Sequence, residues 1–277
     1  MAKDDVIKLL ARVGYTLTRV NVEDVALYNK LYDKIDVENR RFYNIGAGSF
    51  RHQAWTNVDY YSEHYQKNPI DINYNLLEIE PLPLPDESAN IVYSSHTIEH
   101  ITNNAAQNMF DESYRILKKN GFLRITAPDI DLHYQSILHN DLYFWKWHLK
   151  GMGKDTEKIS LKQLFLSSFA SQTSVFYPAE NSYKINDKEF DEIFQNHSYE
   201  EALDFCVSKC SVEFQQKYPF GHINWWNKEK LSSQLRKAGF KEVYHSGYSQ
   251  SICPVLRNTA YFDNTHPALS LYVEAQK

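Results

Sequence analysis

The sequence predicts an α/β protein whose centre is a doubly wound sheet. Short apolar segments of strand length alternate with helical stretches from Phe42 onward, and the connections between them are short. A second observation is that a glycine or a polar residue stands at the end of four of these strands, at Gly46, Asp59, His96 and Asp129. In such sheets ligands bind outside the carboxyl ends of the strands. We therefore expect one shared site at that edge of the sheet.

The composition limits the partners and the location that we expect. The chain has 277 residues and a net charge of −5, which argues against a nucleic-acid partner, because phosphate binding requires clustered Lys and Arg. The first residues lack an apolar core of signal-peptide length and no segment reaches transmembrane length, so we expect no membrane insertion. Three cysteines, an odd number, are typical of reduced thiols, and the expected location is cytoplasmic.

Residues 1–35 are predicted to form helices that precede the sheet. Asn21 is a candidate N-cap of the second helix, and Tyr28, Leu31 and Tyr32 fall on one face of it. A lid over the site and a cover over the edge of the sheet are both consistent with this pattern.

Between residues 42 and 59 a predicted strand, a glycine turn at 46–48 and a second strand that ends on Asp59 follow one another. Glycine lets the backbone approach a ligand closely, and an acid at the tip of the second strand can accept hydrogen bonds from both ribose hydroxyls. The dinucleotide fingerprint needs a third glycine and a later acid, but Arg51 occupies that glycine position and Asp59 comes too early. The turn therefore suits a nucleoside without phosphates better than NAD.

The following elements continue the alternation of strand and helix. Residues 70–72 are predicted as a short third strand, residues 90–95 as the fourth and residues 122–127 as the fifth. Residues 96–117 are predicted as a helix that Gly121 ends.

A helical insertion is predicted after the fifth strand, at residues 130–221, and the architecture places it over the substrate side. Its helical stretches are residues 161–172, 187–195 and 199–216. The chain closes with a helix at 227–238 that Gly239 ends, and with strands at 241–247 and 269–275. The predicted organisation is a single domain of residues 1–277, whose core comprises residues 36–129 and 222–277.

Four ordered blocks carry a resemblance to a known family: N-I-G-A-G at 44–48, N-V-D at 57–59, L-P-L-P-D-E-S-A-N-I-V-Y-S-S-H-T-I-E-H-I at 82–101 and L-K-K-N-G-F-L-R-I-T-A-P-D at 117–129. The series resembles a class I S-adenosylmethionine-dependent methyltransferase with a Rossmann-like fold. It is most similar to the small type 11 branch, which is often found among genes for bacterial surface glycans. The resemblance is strong over residues 41–129 and weak over residues 222–277. Asn44 and Asn90 stand where relatives commonly have an acid.

The resemblance implies S-adenosylmethionine as the cofactor. Asn44 is expected to hold its methionine end by a neutral hydrogen bond, and Asp59 its ribose. Asp71 with Ile72 is the best match to the position that faces the adenine amino group, and Leu76-Leu77 is the alternative. The expected cofactor contacts are Asn44, Gly46, Ala47, Gly48, Asp59, Tyr60, Asp71, Ile72, Ser95 and His96.

A hydroxyl acceptor benefits from a general base, and histidine suits that role near neutral pH. The candidates, in order, are His222, His133 and His96, with Asp129 as the alternate. Asn224, Trp225 and Trp226 adjoin where the insertion returns to the core, and are candidates for acceptor binding, with aromatic packing at this seam as the alternative. Arg257 could hold a phosphate or carboxylate through its planar guanidinium, or make a surface salt bridge.

The resulting hypothesis is O-methylation of a small polar acceptor, such as a nucleotide-linked sugar or another glycan or capsule precursor. The expected partner is that acceptor, phosphorylated or nucleotide-linked, and formation of a homodimer is left open. A small-molecule N-methyltransferase and a cofactor-binding module without turnover are the alternatives.

Two patterns could indicate a metal. His96-Thr97-Ile98-Glu99-His100 matches H-x-x-E-H, the inverted zinc-peptidase signature, in which two imidazoles share a helix face. A strand ends one residue earlier and the methyltransferase-like blocks flank the motif, so a zinc hydrolase is the last alternative. Cys206 and Cys210, with His197, lack the second pair of ligands and are more typical of buried free cysteines. The expected metal content is none.

Overall fold

The structure is a computed structural model that describes residues 22–62, 68–150, 159–179 and 181–277. Its strands are β1 (Phe42–Ile45), β2 (Thr56–Asp59), β3 (Ile72–Asn73), β4 (Ala89–Ser95), β5 (Leu117–Pro128), β6 (Glu242–Ser246) and β7 (Ser270–Gln276). They form one sheet in the order β3-β2-β1-β4-β5-β7-β6, in which β1 to β5 are parallel and β7 is antiparallel to both neighbours. This arrangement confirms the predicted Rossmann-like doubly wound sheet.

Helices cover both faces of the sheet. Those that the structure describes are α1 (Val22–Leu31), α2 (Lys34–Glu38), α3 (Asn103–Ile116), α4 (Ile130–Leu138), α5 (Leu142–Lys150), α6 (Leu161–Phe169), α7 (Asp187–Asn196), α8 (Tyr199–Ser208), α9 (Val212–Lys217) and α10 (Lys228–Lys237). On one face α3 and α10 bury Phe110 and Leu235 against apolar strand residues. On the other face Tyr28 of α1 packs with Trp55 and Phe262. Burial of large apolar side chains on both faces is the main force that holds these layers together.

The amino-terminal helices lie against the sheet within the described part of the chain. Trp55 Nε1 donates a hydrogen bond to the Tyr28 hydroxyl at 2.7 Å, and His52 Nε2 lies 2.5 Å from Asp24 Oδ2. Of the two alternatives for this segment, residues 22–38 fit the cover over the sheet. The predicted helix before Asn21, and Asn21 itself, the candidate N-cap of the second helix, lie outside the described residues.

The helix predicted at residues 96–117 is wrong at its start. It begins at Asn103, where the Thr102 hydroxyl accepts the Ala105 amide, and a 3-10 turn (Ile98–His100) precedes it. The backbone of His96 takes a left-handed φ of 50°, which breaks any continuous helix from the end of β4. Gly121 does not end the helix either, because the chain passes from Ile116 directly into β5.

The described part of the insertion after β5 comprises the helices α4 to α9 and has its own apolar core. Phe165, Phe190 and Leu203 pack there with Trp225, which precedes α10. The helix predicted at residues 199–216 is divided into α8 and α9, because the Ser211 hydroxyl accepts the Phe214 amide and starts a new helix. Gly239 follows α10 with a φ of 113°, as predicted for a helix-ending glycine.

Candidate active site

A cleft opens at the carboxyl ends of β1, β2 and β4, where the glycine turn approaches the β4 loop. Gly46 and Gly48 have φ values of 70° and 54°, in the region that favours glycine. A Cβ on Gly46 would lie 2.2 Å from Thr97 Oγ1, whereas a Cβ on Gly48 would meet no atom within 4 Å. A Cβ at position 46 would therefore collide with the Thr97 side chain, whereas Gly48 leaves open space beside the turn.

Asp59 occupies the rim of this cleft at the end of β2. Its Oδ2 accepts the Gly48 amide at 2.6 Å and its Oδ1 accepts the Tyr60 amide at 2.7 Å, so the carboxylate is held in place by the backbone. Burial raises the pKa of Asp59, and the two amide hydrogen bonds oppose that shift. The strand-end cleft has a volume of about 220 Å³, and its lining includes Gly46, Gly48, Asp59, Tyr60, Leu76, Leu77, His96 and Thr97.

A neighbouring pocket extends along β1 and reaches Asn44. Asn44 is 3% exposed, and among the described residues no donor reaches its Oδ1. A buried acceptor without a donor costs about 1–3 kcal/mol, so a ligand with an N–H group would relieve that cost. The lining of this β1 pocket includes Asn44, Gly46, Ala47, Gly48, Ser95 and His96.

The assignment of Asp71 and Ile72 to the adenine end is corrected by their positions. Asp71 precedes β3 and accepts two hydrogen bonds from Arg40, at 2.9 and 2.8 Å, and the Asn57 amide at 2.8 Å. It lines a separate polar pocket with Arg40, and neither Asp71 nor Ile72 lines the strand-end cleft. Leu76 and Leu77, the alternative, do line the cleft. The sequence alone could not decide between these two pairs of residues, because the register of the chain after residue 72 was uncertain.

A larger cavity of about 760 Å³ lies between the strand ends and the insertion helices. We call it the histidine cavity, because its lining includes His96, His100, His133, His222 and His266. Serines and aromatic rings complete much of its wall, namely Ser167, Ser168, Ser171, Ser174, Trp145, Phe176, Tyr177 and Phe220. His96 lines all three spaces, the strand-end cleft, the β1 pocket and the histidine cavity. The three spaces therefore meet at His96.

His222, the first candidate base, lies in the histidine cavity. Its Nδ1 is 2.6 Å from the Ser168 carbonyl oxygen, which can only accept, so Nδ1 carries the proton. Burial, and to a smaller extent His100, lower the pKa of His222 to about 4, so the ring is neutral at pH 7 and Nε2 keeps its lone pair. His100 contacts it edge to face, with ring centroids 4.7 Å apart.

Glu99 lies beneath these rings and is 1% exposed. Its Oε1 is 3.1 Å from His96 Nδ1 and 3.9 Å from His100 Nε2. Burial alone would raise the pKa of Glu99, but the hydrogen bond from His96 and the nearby imidazoles lower it to about 2. His96 Nε2 is also 2.7 Å from Ser270 Oγ, so both of its ring nitrogens are engaged. His96 is thus a poorer base than His222.

Three residues expected to bind the acceptor are buried in the protein core. Asn224 donates to the Ile101 carbonyl at 3.0 Å, and Trp225 Nε1 donates to Asp204 at 2.7 Å. Trp226 packs against Phe110 in the core of the sheet. None of the three lines a cavity that we describe, so this assignment is corrected in favour of aromatic packing at the seam.

Arg257 and Asp129 also have structural partners. Arg257 donates to the carbonyls of Ser251 and Ile252, at 2.6 and 3.1 Å, and lines none of the cavities described above. Asp129 caps α4, because its Oδ1 accepts the amide of Asp131 at 3.2 Å. The structure places both outside the site. His133, by contrast, lines the histidine cavity beside Trp145.

From the sequence, Glu99 and His100 were identified only as parts of the H-x-x-E-H pattern, without a role in the methyl-transfer site. Because the 3-10 turn replaces the start of the predicted helix, these residues face His222 in the histidine cavity. In the described part of the chain, Glu99, His100 and His222 are the one group of three or more His, Cys, Asp or Glu close enough to hold a metal ion. Cys206 and Cys210 are free thiols, and burial raises the pKa of both to about 12.

Across the described ranges, no helix has both the length and the apolar composition needed to cross a membrane.

Comparison with known proteins adds one family match and several similar structures. Residues 53–125 match the profile of a methyltransferase domain family. No curated protein matches the chain.

Similar solved structures include three methyltransferases of low sequence identity. One is a SAM-dependent methyltransferase from Thermotoga maritima, named as a possible histamine N-methyltransferase, with 17% identity, 99% of this chain and 95% of that chain covered and a TM-score of 0.41. A second is the S-adenosylmethionine-dependent methyltransferase from Mesorhizobium loti, with 12% identity, 91% and 96% coverage and a TM-score of 0.42. A third, from Archaeoglobus fulgidus, has 13% identity, 92% and 94% coverage and a TM-score of 0.38.

Proposed function

We propose that this protein, a methyl-transferring enzyme whose cofactor is S-adenosylmethionine, methylates a hydroxyl oxygen of a small polar acceptor. The observation that carries the proposal is the meeting of the strand-end cleft and the histidine cavity at His96. A methyl group that leaves a cofactor in the strand-end cleft would pass to an acceptor in the histidine cavity, where imidazoles can receive the acceptor’s proton. The acceptor class that we favour is a sugar or another glycan precursor.

The residues at the strand ends fit the cofactor. The unsatisfied Asn44 Oδ1 suits the ammonium of the methionine end, and the fixed Asp59 carboxylate suits the ribose hydroxyls. Leu76 and Leu77 offer an apolar wall for the adenine. Bound there, S-adenosylmethionine would supply an electrophilic methyl carbon to the acceptor oxygen and would leave as S-adenosylhomocysteine.

The chain’s own contribution is to hold the acceptor and to take its proton. His222 presents a neutral Nε2 to the cavity because its Nδ1–H is bound to the Ser168 carbonyl. The negative charge of Glu99 stabilises an imidazolium that forms nearby. A positioned base is worth about a hundred- to ten-thousandfold. This machinery favours a hydroxyl acceptor, whose oxygen is a weak nucleophile until a base removes its proton, over an amine, whose neutral form attacks without such help.

The wall of the histidine cavity suits an uncharged sugar. Its serine hydroxyls and carbonyls can hydrogen-bond to hydroxyl groups, and aromatic rings such as those of Phe176 and Tyr177 can cover the apolar side of a sugar ring. No Lys or Arg occurs among the described residues that line it. A phosphorylated or nucleotide-linked acceptor would therefore place its sugar inside the cavity and its phosphates outside.

A labelled-methyl assay with paired acceptors tests the proposal. Sugars and sugar nucleotides form one panel, and primary amines of similar size form the other. We expect methyl transfer to the first panel, and His222→Asn should lower kcat at least about a hundredfold, because an amide cannot take the proton. Affinity for S-adenosylhomocysteine, measured by calorimetry, should change little. His139→Asn, at an exposed histidine outside the site, is the matched control.

Two results would count against the proposal. One is methylation of amines but of none of the hydroxyl acceptors, which would indicate an N-methyltransferase. The other is a His222→Asn variant that keeps more than about a third of wild-type turnover at saturating acceptor, because no base of useful strength would then lie at that position.

A further inference from the structure

The 3-10 turn and the chain that leaves the insertion are joined by hydrogen bonds on the wall of the histidine cavity. The Ile223 amide donates to the Glu99 carbonyl at 2.9 Å, and His100 Nδ1 lies 3.0 Å from the Gly221 carbonyl. These contacts bring Glu99 and His100 next to His222, although the segments are far apart in sequence. One nitrogen or oxygen of each side chain lies within 4.8 Å of one atom of the other two.

Both imidazoles are oriented by backbone carbonyls. The Nδ1–H of His100 donates to Gly221 and that of His222 donates to Ser168, at 3.0 and 2.6 Å. In each ring, Nε2 is left as the nitrogen with the free lone pair. An imidazole whose second nitrogen donates to a carbonyl is the usual arrangement of a histidine that binds a metal.

Glu99 supplies an anionic oxygen at the same place. Its Oε1 lies 3.1 Å from His96 Nδ1 as an ion-pair contact, and within the described residues neither Oε1 nor Oε2 accepts a hydrogen bond of good geometry. A carboxylate oxygen that is almost fully buried and lacks a donor is costly unless a ligand satisfies it. Its negative charge would offset part of the charge of a cation.

We infer that Glu99, His100 and His222 bind one divalent transition-metal ion, with at least one position open toward the histidine cavity. Two imidazole nitrogens and one carboxylate oxygen are a ligand set typical of catalytic zinc and of iron, and they discriminate against magnesium and calcium, which prefer oxygen. A tetrahedral zinc ion with bonds of about 2.1 Å holds its ligand atoms roughly 3.4 Å apart. Because the ligand atoms lie within 4.8 Å of one another, each pair needs to converge by at most roughly 1.4 Å when the ion binds.

This inference differs from the zinc-peptidase pattern and revises the expectation of no metal. That pattern requires His96 and His100 on one helix face, but here His96 supports Glu99 and the third ligand comes from His222. In its catalytic consequence the inference rests on the proposed function. An ion with an open position would bind the acceptor hydroxyl and lower its pKa. Because its bond to His222 would use the Nε2 lone pair, the ion would replace His222 as the group that activates the hydroxyl, and the proton would leave to solvent.

Metal content provides a test that does not depend on methyl transfer. The full chain is stripped with a chelator, dialysed against Zn²⁺ or Co²⁺, and analysed for bound metal by elemental analysis, with Mg²⁺ and Ca²⁺ as comparison ions. We expect one equivalent of Zn²⁺ per chain, and a visible Co²⁺ absorption spectrum typical of nitrogen and oxygen ligands. Glu99→Gln, which keeps the shape of the side chain, should weaken Zn²⁺ binding by more than about 100-fold. That loss exceeds the one typical of a residue that only hydrogen-bonds to a metal ligand.

A second variant and a control keep the result interpretable. His100→Gln lies at a partly exposed position and should show the same loss with little effect on folding, which thermal melting verifies. His139→Asn should bind the ion as the wild type does. Absence of stoichiometric Zn²⁺ in the wild type, or its retention in both ligand variants, would overturn the inference.

Methyl transfer is then measured separately. If the chain binds no metal but still methylates sugars, only the metal inference fails. If it binds the metal through these residues but methylates no hydroxyl acceptor, only the proposed function fails.

Discussion

Gly46→Ala probes the contact on which the strand-end cleft is built. The added Cβ would lie 2.2 and 2.3 Å from Thr97 Oγ1 and Cγ2, and 2.8 Å from Thr97 Cβ. Distances this short force Thr97 to move, and Thr97 is 9% exposed and follows His96. Gly48→Ala is the matched control, because its φ is also positive while its Cβ would meet no atom within 4 Å.

The magnitude follows from two contributions. A left-handed backbone costs an alanine roughly 1–2 kcal/mol at either position, and overpacking adds about 1–3 kcal/mol at Gly46 alone. We therefore expect Gly48→Ala to lower the free energy of unfolding by about 1–2 kcal/mol and Gly46→Ala by about 2–5 kcal/mol. Urea denaturation followed by circular dichroism measures both values. Calorimetry should show the opposite preference, because a methyl group at position 48 would enter the open space in which we propose that the cofactor binds, and should weaken S-adenosylhomocysteine binding about tenfold or more.

A double variant identifies the cause. Thr97→Ala removes two of the three close atoms, so combining it with Gly46→Ala should recover at least about 0.5 kcal/mol relative to the sum of the single effects. Gly46→Ala and Gly48→Ala variants of equal stability, or perfectly additive effects of Gly46→Ala and Thr97→Ala, would refute the contact that we describe between the β1 turn and the β4 loop.

Other predictions concern Asp59 and the buried ion pairs that Arg124 makes with Asp263 and Glu274. Asp59→Asn should weaken S-adenosylhomocysteine binding by about 1.5–3 kcal/mol, roughly 10- to 150-fold, in calorimetry; unchanged affinity would remove Asp59 from the ribose site. Burial raises the pKa of Asp59 above its usual 3.8, and ribose hydroxyls favour the ionised form, so wild-type affinity should fall as the pH decreases through that raised pKa, while the Asp59→Asn variant shows no such dependence. Arg124→Met should lower the free energy of unfolding, measured by urea denaturation, by about 3–5 kcal/mol, because it leaves Asp263 and Glu274 buried without their cation. Lys34→Met, which removes one partner of an exposed ion pair, is the control and should lower it by less than about 1 kcal/mol. Similar losses in these two variants would show that the Arg124 network contributes little.

Much of the fold could be predicted from local sequence features. The strands at residues 42–45, 90–95 and 122–127 are short apolar runs bounded by turn residues, and the structure contains strands at all three places. Gly46 and Asp59 were identified because a glycine turn and a strand-ending acid depend on neighbouring residues only. Their presence beside one cleft follows from parallel strands that share an edge.

Predictions that depended on distant partners were less successful. Trp225 and Trp226 looked like walls of a pocket, but Asp204 and Phe110 hold them in the core. Asp71 looked like a cofactor contact, but Arg40 pairs with it. A side chain’s type shows which partners it can take, and only the packed chain decides which partner it has.

The sequence by itself determined the doubly wound sheet, the glycine turn and the acid at the end of β2, because these depend on apolar periodicity and on backbone conformations that few residues adopt. It also placed His96 at a strand end. The tertiary structure alone decided that Glu99 and His100 meet His222, because a 3-10 turn replaces the predicted helix and the returning insertion bonds to it. Such a cluster forms from segments distant in the chain, and its geometry is set by long-range backbone hydrogen bonds that no local pattern encodes.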